Sequence, residues 1–204
     1  MKRFLGKLRR FIVKKKNLII FKRKNIGKER FICPLCNYHG PFKDYKDEIF
    51  FIRHQDCPNC QASYRHRLQY LVLNQLSEAF NFSKMTILHC APEPILRKHL
   101  RRLFKEYVST DLMGMNNINL RADLRNLPIK NENFDVVFAS HVLEHIKEDY
   151  EAIAEIRRVI TPNGFAILPI PIVGYETVEY PEPNPYEFGH VRSPGFDYFE
   201  NNSL

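Results

Sequence analysis

No stretch of this 204-residue chain reaches the roughly eighteen consecutive apolar residues that a bilayer-crossing helix requires. The opening residues also lack the marks of a secretory leader, because Lys14 to Lys16 interrupt the apolar runs and no small-residue cleavage site follows. Cysteine is scarce at five, and four of the five fall in two tight pairs, a spacing unlike an extracellular disulfide scaffold. A reducing cytoplasmic setting is therefore the expectation. Internal repeats are absent, and a composition of 44% hydrophobic and 26% charged residues excludes a fibrous or disordered chain. The length allows one full domain with a small appendage and excludes two large domains.

Acidic residues are nearly missing from one region. Residues 1–30 hold thirteen of the 31 Lys and Arg and a single acid, Glu29, whereas the rest of the chain carries 18 basic against 22 acidic side chains. The net charge of +8 thus belongs to an N-terminal arm, and the body is mildly acidic. In the arm Phe4, Leu8, Phe11, Ile12 and Ile19 recur at helical spacing among the cations. Two readings follow: an amphipathic helix lying on RNA phosphates or on an anionic surface such as the inner membrane face, and a solvated basic extension.

After the arm come Cys33-Pro34-Leu35-Cys36 and, twenty residues later, Cys57-Pro58-Asn59-Cys60. Each pair can present two sulfurs to one ion from a tight turn, and the spacer lets a hairpin bring the pairs together. Four thiolates with no open position point to a structural Zn²⁺ in a small zinc-ribbon-like module. With the shell filled, His54 and His66 are expected as neighbours or solvent-facing residues, and Cys90 as a small core residue. Ile49 to Ile52 reads as a short strand. Leu68, Leu71, Val72, Leu76, Ala79 and Phe80 follow a period near 3.6 and predict an amphipathic helix from Arg65.

Short apolar runs then alternate with helical patterns. Strands are expected at Met85 to Cys90, Tyr107 to Thr110, Leu120 to Ala122, Phe134 to Ala139 and Phe165 to Ile170, the last entered by a turn at Thr161-Pro162-Asn163-Gly164. Helices are expected around Ile95 to Phe104 and Ile153 to Ile160. Repeated strand and helix imply right-handed crossovers, hence an α/β fold of the Rossmann-like, doubly wound kind with a mostly parallel sheet. The expected organisation is a basic arm at 1–30, a four-cysteine knuckle at 31–64, a linker helix at 65–82, the main domain at 83–172 and a Pro/Tyr-rich segment at 173–204.

In such folds ligands sit where strands end at the carboxyl edge. The turn after the first strand, His89-Cys90-Ala91-Pro92-Glu93-Pro94, should face that ligand. Asp111 ends the second strand, where an acid can accept both hydrogen bonds of a ribose diol. Asp123 ends the third and is placed for an adenine amino group, and Ser140 and His141 follow the fourth. A rival pattern overlaps them: His141-Val142-Leu143-Glu144-His145 spells the inverted zinc-protease motif, with both histidines on one helical face. Its context disagrees, since it follows a buried parallel strand and little chain remains for a third ligand.

The run from Phe134 through His141 to Ile146, followed by Ile156 to Gly164, closely resembles the fourth strand, next helix and Pro-Gly turn of class I S-adenosylmethionine-dependent methyltransferases, with Leu127-Pro128 as the usual lead-in. The paired CPxC knuckle, Arg65-His66-Arg67 and the His-x-Ala-Pro-Glu-Pro motif together resemble a bacterial group of methyltransferase-domain proteins. The likeness covers residues 31 to about 172. It implies bound S-adenosylmethionine and cofactor contacts from His89, Ala91, Glu93, Asp111, Asp123 and Ser140. It departs from the family at His89, which stands where an acid is usual, and at Ala91, which replaces the first glycine; Glu93 can return the charge beside the cofactor's methionine. His141 or His145 would serve as base if the acceptor were a hydroxyl, and substrate contacts are expected from Tyr175 to Arg192. A small-molecule or glycan acceptor suits the acidic body. An RNA acceptor, held by the knuckle and arm, and a non-catalytic binding module are the alternatives. Sheets of this class usually finish with two further strands, one antiparallel, but no apolar run after Ile172 is long enough. The expectation is a fifth strand left partly uncovered, with self-association and weak turnover as a monomer.

Overall fold

A computed structural model describes residues 2–48, 50–114 and 117–201. Met1, Leu204 and Ile49, the expected start of a strand, lie outside the described residues. Contacts divide the chain into two compact units, residues 1–80 and 81–204.

The first unit opens with helix α1, Lys2–Lys24, whose last turn holds Lys22, Arg23 and Lys24 against the helix carboxyl end, where cations are favoured. Its Phe11, Ile12 and Ile19 are exposed. Strand β1, Phe31–Ile32, pairs antiparallel with β2, His39–Gly40, and β3, Lys43–Lys46, with β4, Phe51–Asp56. Helix α2, Tyr64–Ala79, follows. Its apolar stripe departs from expectation: Leu73 and Gln69 are buried, whereas Leu68, Leu71 and Val72 are exposed, Leu68 to 62%. The anchor is polar instead. Arg67 donates to the carbonyls of His54, Gln55 and Ala62 and stacks 4.5 Å over the Phe42 ring.

The second unit is a five-stranded sheet. Strand β5, Thr86–Cys90, leads through helix α3, Pro94–Leu103, to β6, Glu106–Asp111, and then β7, Leu120–Arg121. Strand β8, Phe134–Ala139, leads through helix α4, Asp149–Val159, to β9, Ile160–Ile167. The order is β7-β6-β5-β8-β9 and every pairing is parallel, the arrangement of a Rossmann-like sheet. Strand β8 is buried along nearly its whole length, which is why it reads as a continuous apolar run. Leu88, Cys90, Val137 and Ala139 meet Ala152, Ile156 and Val159 of α4 in one core, and Cys90 is the core thiol expected.

Thr161 to Gly164 is not a turn before β9 but a bulge within it, since the register with β8 slips between Phe134 and Val136. A Cβ at Gly164 would come 2.5 Å from the Asp135 carbonyl oxygen, so only glycine lets the bulge close onto β8. Strand β10, Val178–Asn184, and β11, His190–Ser193, form a separate antiparallel hairpin, and helix α5 spans Tyr198–Asn201. Among the described residues β9 is an outer strand, with Phe165 to Ile170 half-buried.

Candidate functional sites: a thiol cluster and a cleft at the strand ends

The four paired cysteines come together. Cys33 Sγ lies 3.6 Å from Cys60 Sγ, and Cys36 Sγ lies 3.6 Å from Cys57 Sγ. A tetrahedral ion with metal–sulfur bonds of about 2.3 Å spaces its sulfurs about 3.8 Å apart, so the donor set fits such an ion. Both pairs are built the same way. The Asn37 amide donates to the Cys33 carbonyl at 2.8 Å, and the Gln61 amide donates to the Cys57 carbonyl at 2.8 Å. Asn37 and Gln61 both take the left-handed backbone, φ 54° and 67°.

Without a cation the cluster resists multiple ionisation. A hydrogen bond from Cys60 pulls Cys57 down to about 5, while burial pushes Cys33 up to about 11 and the Cys60 thiol, donating to Cys57, is raised as well. A dication removes the charge opposition and lets all four ionise. His66 is no ligand: its Nδ1 meets the Ser63 amide at 3.1 Å and hydroxyl at 2.8 Å, closing the start of α2. His54 stacks on Phe31 at 4.6 Å between ring centres.

In the second unit a cleft of about 430 Å³ opens at the carboxyl ends of the strands, where the order reverses between β5 and β8. Ala91, Asp111, Asp123, His141 and His145 line it, from the ends of β5, β6, β7 and β8. Ala91 has φ 46°, the left-handed conformation that a glycine takes without strain. The Asp111 Oδ1 accepts from the amides of Met113 at 2.8 Å and Gly114 at 3.0 Å, so the loop fixes the carboxylate while its second oxygen can still serve a ligand. Asp123 is tied to Arg125, which reaches its Oδ2 at 2.7 Å and Glu148 at 2.6 Å, and this guanidinium holds the Asp123 carboxyl below the usual range.

Three expected contacts lie outside the cleft lining. His89 is fully buried; its Nδ1 meets the Tyr107 hydroxyl at 2.9 Å and burial lowers it to about 3, so it is a neutral imidazole on the α3 side of the sheet. Glu93 stands at the N-cap of α3, and Ser140 is buried.

The zinc-protease reading loses its geometry. His141 has φ 54° and Leu143 to His145 form a single 3-10 turn, so the two histidines do not share an α-helical face. Instead His141 Nδ1 meets the buried Glu144 Oε1 at 3.1 Å. The expected substrate segment, Tyr175 to Arg192, divides: Tyr175, Tyr186 and Phe188 are exposed, but Arg192 is only 3% exposed. Arg192 donates to the carbonyls of Leu143 at 2.9 Å, Ile146 at 2.6 Å and Lys147 at 2.8 Å, and pairs with Glu179 at 2.6 Å and Asp149 at 3.1 Å. It therefore clamps β11 to the turn that carries His145. Arg158 acts similarly, donating to the Leu127 and Ile129 carbonyls. Neither residue had a signal in the sequence beyond being a cation near an apolar run.

The methyltransferase-domain family matches residues 86–168, from the first residue of β5 to just past β9. Sixty residues are 32% identical to part of a 37.1 kDa protein in transposon Tn4556 of Streptomyces fradiae, covering 29% of this chain and 17% of that protein. Among solved structures, the YcgJ protein of Bacillus subtilis is similar at a TM-score of 0.46 and 15% identity, over 65% of this chain and 66% of that one. The PH0226 protein of Pyrococcus horikoshii OT3 is similar at 0.43 and 22% identity, over 52% and 58%. A SAM-dependent methyltransferase of Aquifex aeolicus is similar at 0.39 and 16% identity, over 47% and 61%. The chain thus spans less than two thirds of each of these structures and about a sixth of the Tn4556 protein.

Proposed function

We propose that residues 81–204 bind S-adenosylmethionine in the cleft and transfer its methyl group to a small-molecule or glycan acceptor, and that Cys33, Cys36, Cys57 and Cys60 hold a structural Zn²⁺. The observation that carries the first half is the convergence of Ala91, Asp111, Asp123 and His141 on one cleft from successive strand ends. The chain's own work is binding and orientation, because in-line transfer from a sulfonium needs the nucleophile held close to the methyl carbon. Asp111 offers a fixed carboxylate to the ribose, and the left-handed turn at Ala91 brings backbone close to the ligand. For a hydroxyl acceptor, His141 takes the proton: buried Glu144 holds its Nδ1 and leaves Nε2 for the substrate. His89, Glu93 and Ser140 support the turn and strand ends from outside the cleft lining.

The test is calorimetric titration of the full chain with S-adenosylmethionine, followed by tritiated-methyl transfer to fractionated small-molecule and glycan extracts. Binding with transfer supports the reading; absence of binding rejects it. Helix α1, with three cations in its last turn and no acid in its first, favours a second reading in which RNA is the acceptor. Transfer to RNA, with affinity falling steeply as salt rises and lost on deletion of residues 1–30, would select it.

A further inference from the structure

The turn that displaces the protease reading builds a different cluster. Glu144, His145 and His190 each offer one ligand atom, and these atoms lie within 4.8 Å of one another. The His145 and His190 rings stand edge to face, 4.8 Å between centres. Glu144 is fully buried, and although its Oε1 meets His141, its Oε2 has no hydrogen-bond partner among the described residues. Nor has His190 Nδ1, which lies 3.6 Å from Glu187 Oε2. A buried carboxylate oxygen left bare costs free energy unless something occupies its lone pairs.

We propose that Glu144, His145 and His190 bind a divalent first-row transition metal ion, in a site separate from the four cysteines. Two imidazoles and one carboxylate are the donors such ions take, with bonds of about 2.0–2.2 Å. Small side-chain shifts from the present spacing give that geometry. Three protein ligands leave at least one open position, unlike the closed four-sulfur set. The local architecture is rigid where it needs to be: Arg192 clamps β11, which carries His190, onto the carbonyls of the turn that carries Glu144 and His145. His141 holds the far oxygen of Glu144, the outer-shell support that metal-bound groups usually have. The site abuts the cleft, since His145 and Val191, the neighbour of His190, both line it. An oxygen donor on a ligand in the cleft is therefore the chemistry that would fill the open position.

The probe is Co²⁺ added to the full chain whose cysteine cluster has first been saturated with Zn²⁺. The expected result is one further equivalent of metal, with weak visible bands and no thiolate charge-transfer absorption. His145→Ala changes an exposed side chain and should leave the fold intact, as a thermal melt would verify. It should weaken cobalt binding by roughly a hundredfold, since even outer-shell partners are worth about 10–100-fold. Glu144→Gln, which keeps the side chain's shape, should do the same. If the wild-type chain takes up no metal beyond the cysteine cluster, or if both variants bind cobalt as it does, the site does not exist.

Discussion

The four-cysteine module and the strand-edge cleft reach a defined site by opposite routes. In the module the ligands are neighbours in sequence, the turns that aim them are local, and the nearby backbone bonds stay within a few residues. In the cleft the lining residues come from positions 90 to 191, far apart in sequence, and a packed parallel sheet brings most of them together. The first site should therefore depend on its ion and the second on its core. Loss of either site should leave the other's chemistry standing, because they belong to different compact units.

The sharpest way to break this comparison is Cys36→Ser. Structural zinc sites of this kind contribute on the order of 10–16 kcal/mol of apparent binding free energy, so the variant should lose one equivalent of zinc and the ordered structure of residues 31–64. Amide exchange there should rise to unprotected rates, while S-adenosylmethionine affinity stays unchanged. A variant that kept its zinc would mean that the four sulfurs are not one site.

Arg192→Ala should produce the largest loss in the second unit. It removes a buried cation bonded to three carbonyls and leaves Asp149 buried without that partner, a loss typically of about 3–5 kcal/mol. Urea denaturation followed by a probe in the sheet would measure it, and the metal content of the cysteine cluster should not move.

The core's dependence on burial should also appear as acid sensitivity. His89 sits at about 3 in the fold, against an ordinary value of about 6.5. The unfolded chain therefore takes up a proton between those values that the folded chain refuses. Stability from this residue is full above about pH 6.5 and falls as the pH drops toward 3, by a few kcal/mol as an order of magnitude. Melting temperature against pH should show the decline, and His89→Gln should flatten it; an unaltered slope would place the sensitivity elsewhere.

The smallest expected effect is at the ligand. Asp111→Ala removes a charged acceptor, worth about 1.5–3 kcal/mol, so calorimetry should show S-adenosylmethionine bound roughly tenfold more weakly or worse. The fold should be little disturbed, since the loop at Met113 and Gly114 loses two hydrogen bonds at the surface. An unchanged dissociation constant would remove Asp111 from the site.

What could be read from the chain divides along the same line. The cysteine spacing and the apolar runs of β5, β6 and β8 were legible because metal ligation and strand burial both leave a pattern in one dimension. The Thr161 to Gly164 bulge was misread because its Pro-Asn-Gly spelling is also that of a turn, and only the register against β8 separates the two. The His141 to His145 segment carried helical spacing without helical backbone, since a left-handed residue at its head leaves no periodic trace. The stripe on α2 had the right period but the wrong face, because Arg67, a cation, secures that helix by hydrogen bonds to carbonyls. Arg158 and Arg192 were invisible for the same reason: a guanidinium that gathers carbonyls from a distant turn resembles any surface cation until the chain is folded.

The matched turns at Cys33 to Asn37 and Cys57 to Gln61 have a consequence for how the module can vary. Each half-site is a self-contained coil of five residues with its own left-handed stop, so its shape owes little to what lies between. Lengthening the intervening segment would change mainly the entropy of closing a loop, which grows only logarithmically, at about 0.6 kcal/mol for each doubling. The module can thus accept insertions and sequence drift between its two halves while the ion's seat stays the same, leaving that segment free to diversify.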